Sequence, residues 1–355
     1  MLGNMAKFQR LSFLLFLFFF SSCAPDWTSL LPVYGEGAYG YMDSSGELKI
    51  PFQFAEARRF AEGLAAVRNE NGLWGAINSS GGWVVPPNFT HLRDFHGGLT
   101  VAQGEGLSGE NPQNHLQLEA RQPYSGQIRE LGASGVINAR GLWVIEPVYG
   151  DLGDFSEGFF TFEKDGLFGY LDAQGREVIK NTFSYAGPFS NGRSVVISSN
   201  LAGFLNTSGE VVLDFHYSFA DSFQEGLALV YYDDLAGSKA FIDFEGREVL
   251  SLEYDFVHSF SQGRALVSRG GYRGFIDRLG REVIPLKYSF AKDFSENLAL
   301  VEWEGKIGYI DLEGEVVIPI QYDNGESFQR GYAQVVQGVD TFYINKLGER
   351  IIEKF

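Results

Sequence analysis

The chain has a single cysteine, Cys23, in 355 residues. One thiol excludes an intramolecular disulfide framework and leaves no other sulfur nucleophile, so stability has to come from packing. Histidine is almost as scarce: His91, His96, His115, His216 and His258 lack the paired spacing on one helix that holds a catalytic zinc. Positive charge is short too. With 28 Lys and Arg against 45 Asp and Glu, the formal net charge is −17 and the pI about 4.7, which argues against nucleic acid or an anionic lipid surface as partner. The one apolar run, Leu11–Phe20, is too short to cross a bilayer comfortably. Glycine is plentiful, at 44 residues, but it falls in turns between strands and opens no helix, so no phosphate-cradling loop is present. Nothing in the composition calls for a cofactor.

The apolar run has an address function instead. Lys7 and Arg10 precede it, and Ser21-Ser22-Cys23 ends it. A basic head, a short apolar body and small residues before a cleavage point describe a secretory signal peptide over residues 1–22. Phe20-Ser21-Ser22-Cys23 resembles a bacterial lipobox, with Phe where Leu is usual, and Cys23 sits where the lipid would be attached. The expectation is an exported chain held by acyl groups on Cys23 at the cell envelope, on the outer membrane or a periplasmic face, with no spanning helix. Removing residues 1–22, which carry two bases and no acid, takes the net charge from −17 to −19. Residues 23–28 then read as a tether and 29–355 as one β domain.

That domain is built on one unit, cleanest at 306–319, KIGYIDLEGEVVIP. Gly308-Tyr309-Ile310-Asp311 alternates with a period near two, and Val316-Val317-Ile318 is β-branched, so both runs favour extended backbone. Between them, Asp311 is placed to accept hydrogen bonds from N–H groups further round the turn, and Gly314 to take the left-handed conformation that closes a hairpin. The same pair recurs at Asp172 and Gly175, Asp243 and Gly246, and Asp277 and Gly280, and nine copies in all keep Asp or Asn followed three residues later by Gly. Each hairpin is followed by Phe, two polar residues, usually Gly, and a third strand, as in Phe294-Ser-Glu-Asn297-Leu-Ala-Leu-Val. Phe60, Phe95, Phe155, Phe189, Phe223, Phe260 and Phe328 share the position of Phe294 and read as core plugs.

The steps between hairpins are near 34 residues except one of 60, whose excess lies in 104–133, a polar, Gly-rich insert. The fold expected is therefore all-β: tandem repeats of about 34 residues and three strands each, arranged as a propeller-like closed ring, with an open β-solenoid as the alternative. The chain opens on a third-type strand, Ser29–Tyr34, and ends on a hairpin without one. That suggests the first strand completes the last hairpin and closes the ring.

Gly72-Leu-Trp-Gly75-Ala-Ile-Asn78, Gly166-Leu-Phe-Gly169-Tyr-Leu-Asp172 and Gly305-Lys-Ile-Gly308-Tyr-Ile-Asp311, with Val-Ile-Pro at 283–285 and 317–319, resemble the WG-repeat family, also called KWG repeats. Only Trp74-Gly75 carries the eponymous pair. The resemblance implies a β-rich interaction module and no enzymatic activity. The leading expectation is a non-enzymatic envelope lipoprotein that binds protein or glycan, with Trp74, Tyr124, Tyr231 and Tyr232 as candidate contact residues. The alternatives are a glycan-active hydrolase using acids on one ring face, such as Glu157, Glu225 and Glu296, and a purely structural envelope protein. Calcium at the turn acids is disfavoured because each turn supplies a single carboxylate.

Overall fold

The computed structural model describes residues 27–104, 132–234 and 237–351. The expected signal peptide, Cys23 with most of its tether, nearly all of the 104–133 insert and Tyr124 lie outside them. A short 3-10 helix, Trp27–Ser29, leads into strands throughout. No helix among the described residues is long and apolar enough to cross a membrane.

The nine repeat units form eight antiparallel sheets, seven of three or four strands and one of seven strands that spans the fifth and sixth units; with that one counted as two, the sheets are numbered one to nine in chain order. The eighth is representative: Phe290–Ala291, Ala299–Trp303, Lys306–Ile310 and Val316–Tyr322, hydrogen-bonded in that order. Six of the units have such a two-residue opening strand, which sequence periodicity did not show, at Glu56–Ala57, His91–Leu92, Tyr185–Ala186, Phe256–Val257, Phe290–Ala291 and Asn324–Gly325. In the middle of the chain one long strand, Val211–Ala220, serves as last strand of the fifth sheet and first of the sixth.

The turns follow the Asx geometry. Oδ1 of Asp311 accepts from the N–H groups of Glu313 (3.1 Å) and Glu315 (2.8 Å), and Asp172, Asp243 and Asp277 repeat the pattern at 2.9–3.0 Å. Gly314 takes φ 87°, and a Cβ there would stand 3.1 Å from Ile284 of the preceding sheet, so the turn glycine is fixed by conformation and by packing together.

The glycine in the first strand of the hairpin, Gly308 of Lys306–Ile310, has a separate cause. A Cβ on Gly308 would stand 2.7 Å from the Ile318 carbonyl oxygen, because the ladder slips as it passes, from Ile307 opposite Tyr322 to Tyr309 opposite Ile318. In the sixth sheet Ala240 stands at this position. There the slip is gone, with Lys239, Ala240 and Phe241 facing Leu252, Ser251 and Leu250 in simple register.

Neighbouring sheets share one apolar cluster each. Tyr309 and Ile318 of the eighth meet Phe328, Ala333 and Val335 of the ninth, for example. The repeat phenylalanines are the plugs: Phe60, Phe223 and Phe328 are fully buried, each contributing on the order of 2–3 kcal/mol of transfer free energy. An open row of nine sheets has one interface fewer than it has sheets. Among the described residues there are nine clusters, and the ninth joins Leu31, Val33 and Met42 of the first sheet to Tyr343 and Ile351 of the last hairpin. The array therefore returns on itself as a propeller-like ring.

The joint is not made as the sequence suggested. Leu31–Gly35 pairs with Ala38–Met42 and not with the last hairpin, because every third-type strand pairs forward with the hairpin that follows it. The contact is made by side chains: the Tyr343 hydroxyl donates to the Pro32 carbonyl (3.1 Å), and Arg59 Nη1 donates to the Gln329 carbonyl (2.9 Å). Arg330 reaches the Phe60 carbonyl in the same way, and its guanidinium lies 5.2 Å over the Trp27 ring.

Candidate functional site

The turn after each opening strand, typified by Phe294-Ser295-Glu296, carries the acids that a hydrolase reading would use. They are already engaged. Both oxygens of Glu157 accept from the next sheet, from the N–H groups of Asn191 (2.7 Å) and Gly192 (2.9 Å). Glu62 does the same to Gly97 and Gly98 (2.8 Å each), Glu225 to Gly263 (3.1 and 3.2 Å), and Glu296 to Arg330 and Gly331. Gln262 takes the role once, accepting from the Asn297 N–H at 2.7 Å. The serine of the turn donates in parallel, as Ser295 Oγ does to the Phe328 carbonyl at 2.6 Å. Burial acts upward on the Glu296 carboxyl, but the Lys346 ammonium and the two N–H groups outweigh it and hold it below the ordinary glutamate range. These residues staple sheet to sheet.

Chemical variety lies just before the phenylalanine, where a repeat shows unlike residues at like places: Arg58-Arg59, Arg93-Asp94, Gly153-Asp154, Asp221-Ser222, His258-Ser259, Lys292-Asp293 and Glu326-Ser327. The first side chain of a pair reaches the second of the next sheet. Arg58 meets Asp94 (3.8 Å), Arg93 meets Asp154 (3.1 Å), Asp221 takes the Ser259 hydroxyl (2.5 Å), and His258 Nδ1 lies 2.9 Å from Asp293. The backbone of this row is held from behind where the first strand of the hairpin offers tyrosine: Tyr41 and Tyr309 donate to the carbonyls of Arg58 and Glu326, both at 2.7 Å. Phe204, Phe241 and Phe275 occupy that position behind Asp221, His258 and Lys292 and supply no hydroxyl.

Along this row, over the sixth and seventh sheets, opens a cleft of about 690 Å³. Its walls include Phe219, Tyr231 and Phe256, and its polar groups include Asp221, His258, Ser259 and Asp293. A smaller hollow of about 410 Å³ continues it toward Arg273 and Lys292, sharing Phe256, His258 and Asp293. Phe219 and Phe256 are 45% and 40% exposed, far from the near-zero values of the core phenylalanines. The Tyr231 ring sits 5.1 Å from Phe219, under the Lys239 ammonium at 5.3 Å, and burial raises its phenol pKa.

Of the candidate contact residues, Tyr231 therefore lines the cleft. Tyr232 turns the other way, packing on Tyr217 (5.7 Å) with its hydroxyl 3.4 Å from Glu248. Trp74 has to be corrected: it is 6% exposed in the cluster with Phe89 and Phe95, with Arg58 4.8 Å over its ring, and is a core residue. Among the described residues no group of three or more His, Cys, Asp or Glu is placed to hold a metal ion.

This is a propeller-like ring of tandem β sheets with a variable row of side chains across neighbouring units. A family model described as "WG containing repeat" matches eight times, at 39–74, 74–106, 135–168, 168–198, 203–235, 241–272, 274–306 and 307–338, and the chain belongs to that family. Among solved structures, a eukaryotic initiation factor has a similar fold, with a TM-score of 0.60 at 12% identity over 91% of this chain and 94% of that one. BamB from Moraxella catarrhalis aligns with a TM-score of 0.38 at 14% identity, over 62% of this chain and 79% of its own. Hsv2 from Kluyveromyces lactis aligns at 0.36 with 9% identity, over 55% and 75%. No curated protein matches in sequence.

Proposed function

We propose that the protein is a non-enzymatic interaction module, exported and anchored through Cys23 at the bacterial envelope, that takes its ligand in the cleft over the sixth and seventh sheets. The observation that carries this reading is the exposed pair Phe219 and Phe256 flanking hydrogen-bonding groups in one concavity; binding sites are concave, largely apolar and furnished with a few convergent polar groups. The staple role of Glu157, Glu225 and Glu296 removes the acids on which a hydrolase reading first rested. That reading now falls to Asp221 and Asp293, the two carboxylates of the cleft.

The test is direct. Residues 24–355 are screened against soluble oligosaccharides and peptides, and the hits are repeated with Tyr231→Ala and Phe256→Ala. Ligands lost in both variants and recovered chemically unchanged support a binding module. Turnover of a glycan that stops in Asp221→Asn supports the hydrolase, and a surface insensitive to both aromatic changes sinks the cleft as the site.

A further inference from the structure

The charge pattern of the variable row assigns a ligand class to this cleft, an inference that rests on the cleft being the contact site. At the second and third sheets the first position of the row is a cation, Arg58 or Arg93, and the chain itself supplies the carboxylate it meets, Asp94 or Asp154. At the sixth sheet the sign is reversed. Asp221 holds that position, and the group it meets is the neutral hydroxyl of Ser259. One sheet further on stands His258, whose imidazole is the ion-pair partner that Asp293 of the eighth sheet has among the described residues. Two carboxylates thus face one concavity with no Lys or Arg ion pair among the described residues.

Elsewhere the chain shows what completes such a place. Arg58 lies over Trp74 beside Asp94, Arg269 over Tyr254 beside Glu282, and Arg350 over Phe342 beside Asp340. An aromatic face with a carboxylate at its rim is filled each time by a guanidinium, whose flat cation suits both. The cleft repeats these parts with Phe219, Phe256, Asp221 and Asp293, and among the described residues no guanidinium or ammonium covers Phe219 or Phe256, Lys239 lying over Tyr231 instead.

We propose that the cleft receives an arginine or lysine side chain from a partner protein, seated against Phe219 and Phe256 and paired with Asp221 and Asp293. The acidic balance of the chain, −17, favours the approach of such a partner and screens out anionic ones.

The probe is a capped peptide of alternating glycine and arginine, titrated by fluorescence anisotropy at about 0.15 M salt. Its counterpart with glutamate and an uncharged oligosaccharide are run beside it. The arginine peptide should bind, the glutamate peptide should not, and Asp221→Asn, Asp293→Asn and Phe256→Ala should each weaken binding about tenfold. Asp340→Asn, which removes one charge at the last hairpin, should leave it unchanged. Each variant is first melted to show that it is folded. Equal weakening by Asp340→Asn would reduce the effect to diffuse charge and overturn the proposal, as would cleft variants that bind like the parent. If only the oligosaccharide binds, and Phe256→Ala abolishes it, the cation proposal fails while the cleft stands as a ligand site. If no probe responds to Phe256→Ala, both fail.

Discussion

The carboxylate of Glu296 accepts a hydrogen bond from the backbone N–H of Gly331, 2.8 Å away and one sheet further along the chain. Repeated from Glu62, Glu157, Glu225 and Gln262, this contact shows how small sheets become one body. The N–H groups at the tip of one turn have no ladder partner, and the preceding unit supplies an acceptor. Charge-assisted bonds of this kind at a solvated rim are worth about 1 kcal/mol each.

Glu296→Ala should therefore lower the free energy of unfolding by about 1 kcal/mol, as should Glu157→Ala. Glu296→Gln should cost less, since Gln262 fills the same role naturally. Urea titration checks this, and unchanged midpoints in both alanine variants would mean the staples hold nothing.

The glycine of Lys306–Ile310 makes a sharper prediction. Gly308→Ala places a methyl 2.7 Å from the Ile318 carbonyl oxygen, where backbone has to move. The loss should be about 2 kcal/mol or more. Ala240→Gly, at the equivalent place without the slip, should change stability by less than about 1 kcal/mol, through backbone entropy alone. Thermal melts of the two variants that came out alike would break the link between glycine and slip.

Acid should act on the turns. Burial works upward on Asp43, but hydrogen bonds from Ser45, Glu47 and Lys49 bring its carboxyl down to about 2. Asp277, chiefly through Arg281, and Asp172 and Asp243, through N–H and Arg bonds that outweigh burial, are also lowered. A carboxyl held below its unfolded value stabilises the fold above that value, and the contribution fades as pH falls through the folded pKa. The loss should begin below pH 3.8, the ordinary aspartate value, and continue toward 2. Asn78, Asn138, Asn206 and Asn345 hold the same turns without titrating. Replacing Asp43, Asp172, Asp243 and Asp277 by asparagine should thus lower stability at pH 7, where the ionised carboxylates contribute, and flatten the loss of stability between pH 3.8 and 2. A loss over that range as steep as in the parent would place the acid sensitivity elsewhere.

Much of this was legible because the repeat writes its turn chemistry nine times over. Asx, Gly and the β-branched runs gave the hairpins, and the recurring Phe marked the plugs. What stayed hidden depends on the frame between units. Opening strands such as Phe290–Ala291 are too short for periodicity, and the forward pairing of Leu31–Gly35 is decided by neighbours in space. Trp74 looked like a contact residue because it was distinctive, yet a lone tryptophan at a repeat position packs as its equivalents do. Glu157 and Glu296 were open to a hydrolase reading because the N–H groups they bind belong to the next unit. The cleft was missed for a related reason: repeats draw attention to like residues, whereas Asp221, His258 and Lys292 are unlike residues at one repeat position. Of the cleft residues, Tyr231 alone was marked in the sequence, as a candidate contact residue.

The central structural claim is that the ninth sheet packs on the first, since this ring underlies the placement of the cleft row. Spin labels at Tyr34 and Val339, 61% and 100% exposed, report on it directly when Cys23 is replaced by alanine. Packed sheets lie about 10 Å apart, so an open row of nine would separate its ends by about 80 Å. A short, narrow distance distribution between the two labels in a pulsed dipolar measurement is the predicted result. A broad distribution centred near the open-row value would contradict the ring.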